Sequence, residues 1–191
     1  EMEDTGKRNL QGLDKPILDS LGIDKNKPEK QQRNQTGSPI LEEGDILLNT
    51  TLAETSDWQQ VDLSVVSTLR HFCIETLSSY TEDNQACISE VDLLDDKGQP
   101  IDKTKWEVVY VSSEQADKNL GIAENLFDGD ISSFWHTDPA TEPGQPHRII
   151  VDIKEIYKIS ALRFKVRKGA FLSGKVKEIN VYGRPQFFLF H

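Results

Sequence analysis

From about residue 41 the chain breaks into short apolar runs held apart by turn residues, and this spacing constrains the fold more than any other feature. The runs "DILLNTTL", "WQQVDLSV", "RHFCIETL", "ACISEVDLL", "WEVVYVSS", "HRIIVDI", "KISALRFKV" and "KEINVYG" are rich in Val, Ile, Phe and Tyr. Such β-branched and aromatic residues suit a pleated, half-buried surface. "DDKGQP", "DPATEPGQP" and "RKGAFLSGK" supply the Gly, Pro and Asp that tight turns need. Only "GIAENLF" has the pattern of a helical turn. Strands at this spacing, with no long helical segment between them, predict an all-β, antiparallel β-sandwich.

Residues 1–40 have a different composition. "GKRNLQ" and "IDKNKPEKQQRNQTGSP" are rich in Lys, Gln and Asn, with prolines and few aromatics. Such a stretch cannot bury enough apolar area to offset the entropy of ordering it. It is expected to form a polar, mostly irregular N-terminal arm or linker, with the sandwich occupying 41–191. Within the arm, Ile17, Leu18, Leu21 and Ile23 could make one short helical turn docked on the body.

The formal net charge is −10. A chain of that sign repels phosphate backbones and anionic lipid surfaces, so nucleic-acid and membrane-surface partners are disfavoured. No apolar run approaches the ~18 residues of a membrane span, so no membrane insertion is expected. A neutral ligand such as a sugar, or a cation, is compatible with this charge. The two cysteines, Cys73 and Cys87, are too few for a disulfide framework and lie in no zinc pattern. They are either two buried thiols or one bridge.

The segment "AENLFDGDISSFWHT" (123–137) is followed by "HRIIVDI" and then "KISALRF". Together these resemble the discoidin family, also called the F5/8 type C domain, which includes galactose-binding-like carbohydrate-binding modules. The resemblance implies a discoidin-like jelly roll in which Trp135 is a core aromatic. Its order is unusual. Text similar to the family's last strands, "STLRHFCIETLSSYTEDNQACISEVDLL", comes before the Asp-Gly-Asp stretch, and "GKVKEINVYGRPQFFLFH", similar to the family's middle, ends the chain. Joined end to end the segments complete the pattern, so the sandwich is expected to be circularly permuted. The other arrangement is the tail of one repeat followed by part of a second. That leaves half sandwiches with open edges unless they pair.

The resemblance also implies a structural calcium at this stretch. Asp128 and Asp130 would give carboxylate oxygens, Asn125 and Ser133 main-chain oxygens. Under the permuted order, the Glu of the last strand is Glu90 and the carbonyl before it belongs to Ser89. Calcium takes six to eight hard oxygen ligands, and this set offers oxygens only. The alternative is a plain Asx turn with solvated carboxylates.

Ligand loops in such a sandwich cluster at one end, here residues 78–86, 112–119, 135–145 and 167–174. A sugar presents C–H faces and hydroxyl rims, so its site needs an apolar platform and planar polar groups. The candidates are His136, Arg167, Phe171 and Tyr80, with Glu114 and Asn84 behind them. Each could equally be an ordinary loop residue. No GxSxG, HExxH or Walker pattern is present. Asp128 and Asp130 share one tight turn and cannot flank a glycosidic bond as glycosidase carboxylates do.

The expected function is therefore a non-catalytic carbohydrate-binding module, monomeric, in a secreted or cell-surface multidomain protein. Its partners would be a glycan, possibly galactose-type, and other domains of that protein, which may include a glycan-active enzyme. The alternative is a protein-interaction or structural module of the same fold with no sugar site.

Overall fold

The structure, a computed structural model, describes residues 37–81, 83–140, 144–167 and 173–191. Most of the arm, including Ile17, Leu18, Leu21 and Ile23, lies outside the described residues. The described strands in chain order are β1 (Pro39–Ile40), β2 (Ile46–Thr51), β3 (Gln59–Thr76), β4 (Cys87–Ile88), β5 (Glu90–Asp95), β6 (Glu107–Val111), β7 (Trp135–His136), β8 (His147–Lys165), β9 (Glu178–Arg184) and β10 (Leu189–Phe190). Their pairings are antiparallel. "GIAENLF" forms a short 3-10 turn at Ala123–Phe127, as its pattern suggests.

Two long strands organise the fold. β3 and β8 pair along most of their length, from Gln59↔Phe164 to Thr76↔His147, with register shifts between Asp62 and Ser67 and between Leu69 and His71. These irregularities divide each strand into two parts. The far edge of β8 serves two different partners. β6 pairs with Ile149–Asp152, and β5 pairs with the part from Ile159 to Lys165. β9 pairs with the His71–Thr76 end of β3 and carries β2 on its other edge. Two long strands thus carry the main sheet, with β9, β5 and β6 placed on their edges.

The burial pattern follows the sequence pattern. At its buried end β3 places Phe72 and Ile74 in the core, while Val65 and Val66 at the register shift are exposed. One hydrophobic cluster joins Leu48, Phe72 and Ile88 to Trp135, Ile149, Leu162, Phe164 and Val181. Residues before and after position 107 therefore share one core. At about 25 cal/mol per Å² of apolar surface removed from water, that shared burial is the main stabilising term. Cys73 and Cys87 are both free, buried thiols, and burial pushes both pKa values up.

The body begins slightly earlier than composition suggests. Pro39 and Ile40 pair with Phe190 and Leu189. Ser38 and His191 exchange two backbone hydrogen bonds of 3.2 and 3.1 Å. Two strand residues are too short a run to stand out beside a polar arm.

His147 is fully buried at the start of β8. Its Nε2–H donates to the Asn84 carbonyl at 2.5 Å, and its Nδ1 has no hydrogen-bond partner. Burial holds its pKa below the ordinary value. The unfolded chain takes up this proton near pH 6.5 while the folded chain resists it, so the contribution is present above that pH and is lost as pH falls. His147→Gln should therefore flatten the pH dependence of the urea midpoint between about pH 7 and 5, by up to ~1.4 kcal/mol per pH unit. A parallel pH profile for the variant and its parent would contradict this.

Candidate functional site

Loops from distant parts of the chain meet at one end of the sandwich. Tyr80 N–H donates to Lys175 O at 2.7 Å, and Gln115 N–H donates to His136 O at 2.8 Å. Thr137 Oγ1 donates to Gln85 Oε1 at 2.6 Å and accepts from Ala86 N–H at 3.0 Å. Cys87 lies between His136, its antiparallel partner, and Lys175 on its other side. Two glycines permit this approach. A Cβ on Gly121 would fall 2.9 Å from the Cβ of His136. One on Gly174, where φ is +75°, would fall 2.9 Å from the Ala86 carbonyl carbon.

His136 is 4% exposed. Its Nδ1–H donates to the Thr137 carbonyl at 2.5 Å, which leaves Nε2 to accept from Ser173 Oγ at 2.6 Å. The Arg167 guanidinium lies over the Phe134 ring at 4.0 Å, and that ring meets His136 edge-on at 6.4 Å. Glu114, next to Gln115, accepts the Ala123 N–H at 2.8 Å. Tyr80 donates its hydroxyl to Leu52 O at 2.8 Å and carries Lys177 Nζ 5.5 Å above its ring. Asn84 is exposed with φ at 56°. It enters the network through its carbonyl, on His147. Phe171 lies outside the described residues.

Trp135 is fully buried and donates Nε1–H to Ser113 O at 3.0 Å. Phe134 also takes part, although no local pattern marks it: it precedes the two-residue strand β7 and is itself only 1% exposed.

The Asp-Gly-Asp turn follows the Ala123–Phe127 turn. Asn125 commits its side-chain Nδ2 to Asn119 O at 3.2 Å and Phe134 O at 3.1 Å, so any oxygen it offers a ligand comes from its other groups. Asp128 Oδ2 accepts from Ser133 Oγ at 2.6 Å. Asp130 Oδ1 turns to Ser132, accepting from its N–H at 2.9 Å and its hydroxyl at 2.6 Å. Gly129 has φ at +80° and supplies the bend.

Glu90 reaches this turn from β5, beside Ser89, whose N–H donates to Lys165 O at 2.8 Å. Its side chain is 2% exposed, and its Oε1 accepts the Gly129 N–H at 3.2 Å. The Lys103 ammonium contacts Glu90 and also Asp92, the latter at 2.5 Å. Burial pushes the Glu90 pKa up to about 8, and Asp128 adds to the rise. Lys103 and the Gly129 N–H pull it back.

The donors around Glu90 and Asp128 are all oxygens, which suits a hard cation. Among the described residues, however, no three His, Cys, Asp or Glu side chains converge as a metal set. Glu90 is buried, Asp128 and Asp130 are exposed, and Lys103 already brings positive charge to Glu90.

Residues 108–186 match the F5/8 type C domain. The match spans β6 to β9 and includes the Asp-Gly-Asp turn, His136 and Arg167. It leaves β1 to β5 outside, although they supply Glu90 and much of the core. A sialidase from Micromonospora viridifaciens is 33% identical over 84 residues, which are 43% of this chain and 13% of that protein. The chain thus matches only a small part of a much longer relative. Among the described residues, no helix is long and apolar enough to cross a membrane.

Proposed function

We propose that this F5/8 type C domain is a non-catalytic carbohydrate-binding module of a secreted or cell-surface multidomain protein. The observation that carries the proposal is the stacked Arg167–Phe134 pair beside His136 at the loop end. Arg167 presents planar donors, and the His136 Nε2 is an acceptor that a sugar hydroxyl could take over from Ser173. Phe171 would add the apolar platform, with Tyr80, Glu114 and Asn84 around the rim. The ligand would be a glycan, for example of galactose type, bound by a monomer. The short match to a long sialidase is compatible with a module that serves a glycan-active parent. A protein-interaction role without a sugar site is favoured by one feature, the exposed Ile40, Phe187 and Leu189 near the paired chain ends.

We further infer that the sandwich is circularly permuted. Hydrogen bonds between Ser38 and His191 bring the described ends together, and the strands outside the family match complete the sheet of those inside it.

Sugar titration tests the main proposal. Binding should be weak, roughly millimolar to micromolar, or about −4 to −8 kcal/mol. Arg167→Ala and Phe171→Ala should each weaken it about tenfold, ~1.4 kcal/mol, with little change in melting temperature. Binding like the parent in both variants, or no glycan binding at all, would favour the protein-interaction role.

A calcium at the Asp-Gly-Asp turn belongs to the same proposal. Glu90, Asp128 and Asp130 would hold it through carboxylates, and Ser89, Asn125 and Ser133 through main-chain oxygens. It would supply charge that locks the turn to β5. Chelation should then lower the melting temperature and added calcium restore it. A ligand at 100 times its Kd stabilises the folded state by about 2.7 kcal/mol. An unchanged melting curve would leave Lys103 as the cation of this turn.

A further inference from the structure

We propose that the cleft beside Arg167 is an anion subsite, taking the carboxylate or sulfate of an acidic sugar. It rests on the carbohydrate-binding proposal and extends it from a neutral to an acidic ligand class.

The cleft lies between the turn at residues 53–56 and a wall formed by Tyr80, Arg167 and Lys175, and its volume is about 120 Å³. At ~30 Å³ per water this is room for roughly four waters. A carboxylate or sulfate fits that space. Val166 and Val176, 6% and 2% exposed, line it as well and provide apolar surface.

Four cations gather here on a chain whose net charge is −10. Arg167 and Lys175 line the cleft. Lys165 Nζ donates to Ser56 O in the turn at 2.6 Å, and Lys177 Nζ sits over the ring of Tyr80. One carboxylate in the lining opposes them. Glu54 faces Lys175 at 3.6 Å, and its side chain is 54% exposed. Glu54 is the exposed member of the pair, the Lys175 side chain being 19% exposed, so a ligand anion can displace this weakly held carboxylate. The overall negative charge does not prevent this, because exposed charges farther than ~10 Å are largely screened at 0.1 M salt.

The cleft is also well placed relative to the loop-end site. Arg167 belongs to both. Lys175 and His136 flank Cys87 on opposite sides, about two strand spacings or ~10 Å apart across the strands. One ligand can therefore place a ring near His136 and its anionic group beside Lys175.

The test is titration of the full chain with galactose, galacturonic acid and galactose 6-sulfate at about 0.1 M salt. At least one acidic sugar should bind about tenfold more tightly than galactose, as a charged hydrogen bond implies. A gain for only one of the two identifies the anion. Lys175→Gln should bring the acidic sugar back to the affinity of the neutral one, and Glu54→Gln should strengthen it further. Melting temperatures would check that both variants are folded. Equal binding of acidic and neutral sugars overturns the subsite while leaving the carbohydrate proposal standing, as does an acid preference that survives Lys175→Gln. No binding of any sugar overturns both.

Discussion

The β3–β8 ladder is the constraint on which the rest of the structure depends. Two strands from separate parts of the chain pair from Gln59↔Phe164 to Thr76↔His147, and every other strand of the main sheet is placed by one of them or by β9. Closing so long a loop costs entropy that only a large shared core can offset. That core contains Phe72 and Ile74 from one part and Trp135, Leu162 and Phe164 from the other. The family match at 108–186 therefore lies within a larger folded unit. The same pairing sets the site. It brings Glu90 of β5 to the Asp-Gly-Asp turn, and the chain after β3 returns Cys87 to lie between His136 and Lys175.

Buried charge is handled consistently. Glu75 is buried in β3, and its carboxylate meets Arg148 at 2.7 Å and Asn180 at 3.0 Å. Asp152 accepts both Arg70 nitrogens, at 3.0 and 3.1 Å, which helps to hold its pKa below the usual carboxylate range despite burial. Breaking such a pair by removing one partner typically costs about 3–5 kcal/mol, because an uncompensated charge remains. Glu90 differs in degree. Its pKa stays high although Lys103 touches it, because burial outweighs what Lys103 and the Gly129 N–H contribute.

The sequence revealed patterns more readily than partners. Alternating Val, Ile and Phe runs mark the strands because side-chain direction has a period of two. The discoidin resemblance implies a core position for Trp135, and Trp135 is fully buried. Composition does not mark β1, which is only two residues long. Other features depend on register between distant positions, which no local pattern encodes. The Lys103 contact with Glu90 and Asp92 and the stacking of Arg167 on Phe134 belong here. So does the fate of Asp130: a carboxylate in a tight turn can face a cation or its own backbone, and here it faces Ser132.

Native-state hydrogen exchange on the full chain tests the central claim most directly, that the segments before and after residue 107 form one cooperative core. Amides of β3 and β5 should exchange through the same global opening as those of β8 and β9, with protection lost together as urea is raised. Earlier loss of protection across β2 to β5, with residues 108–186 still protected, would contradict it.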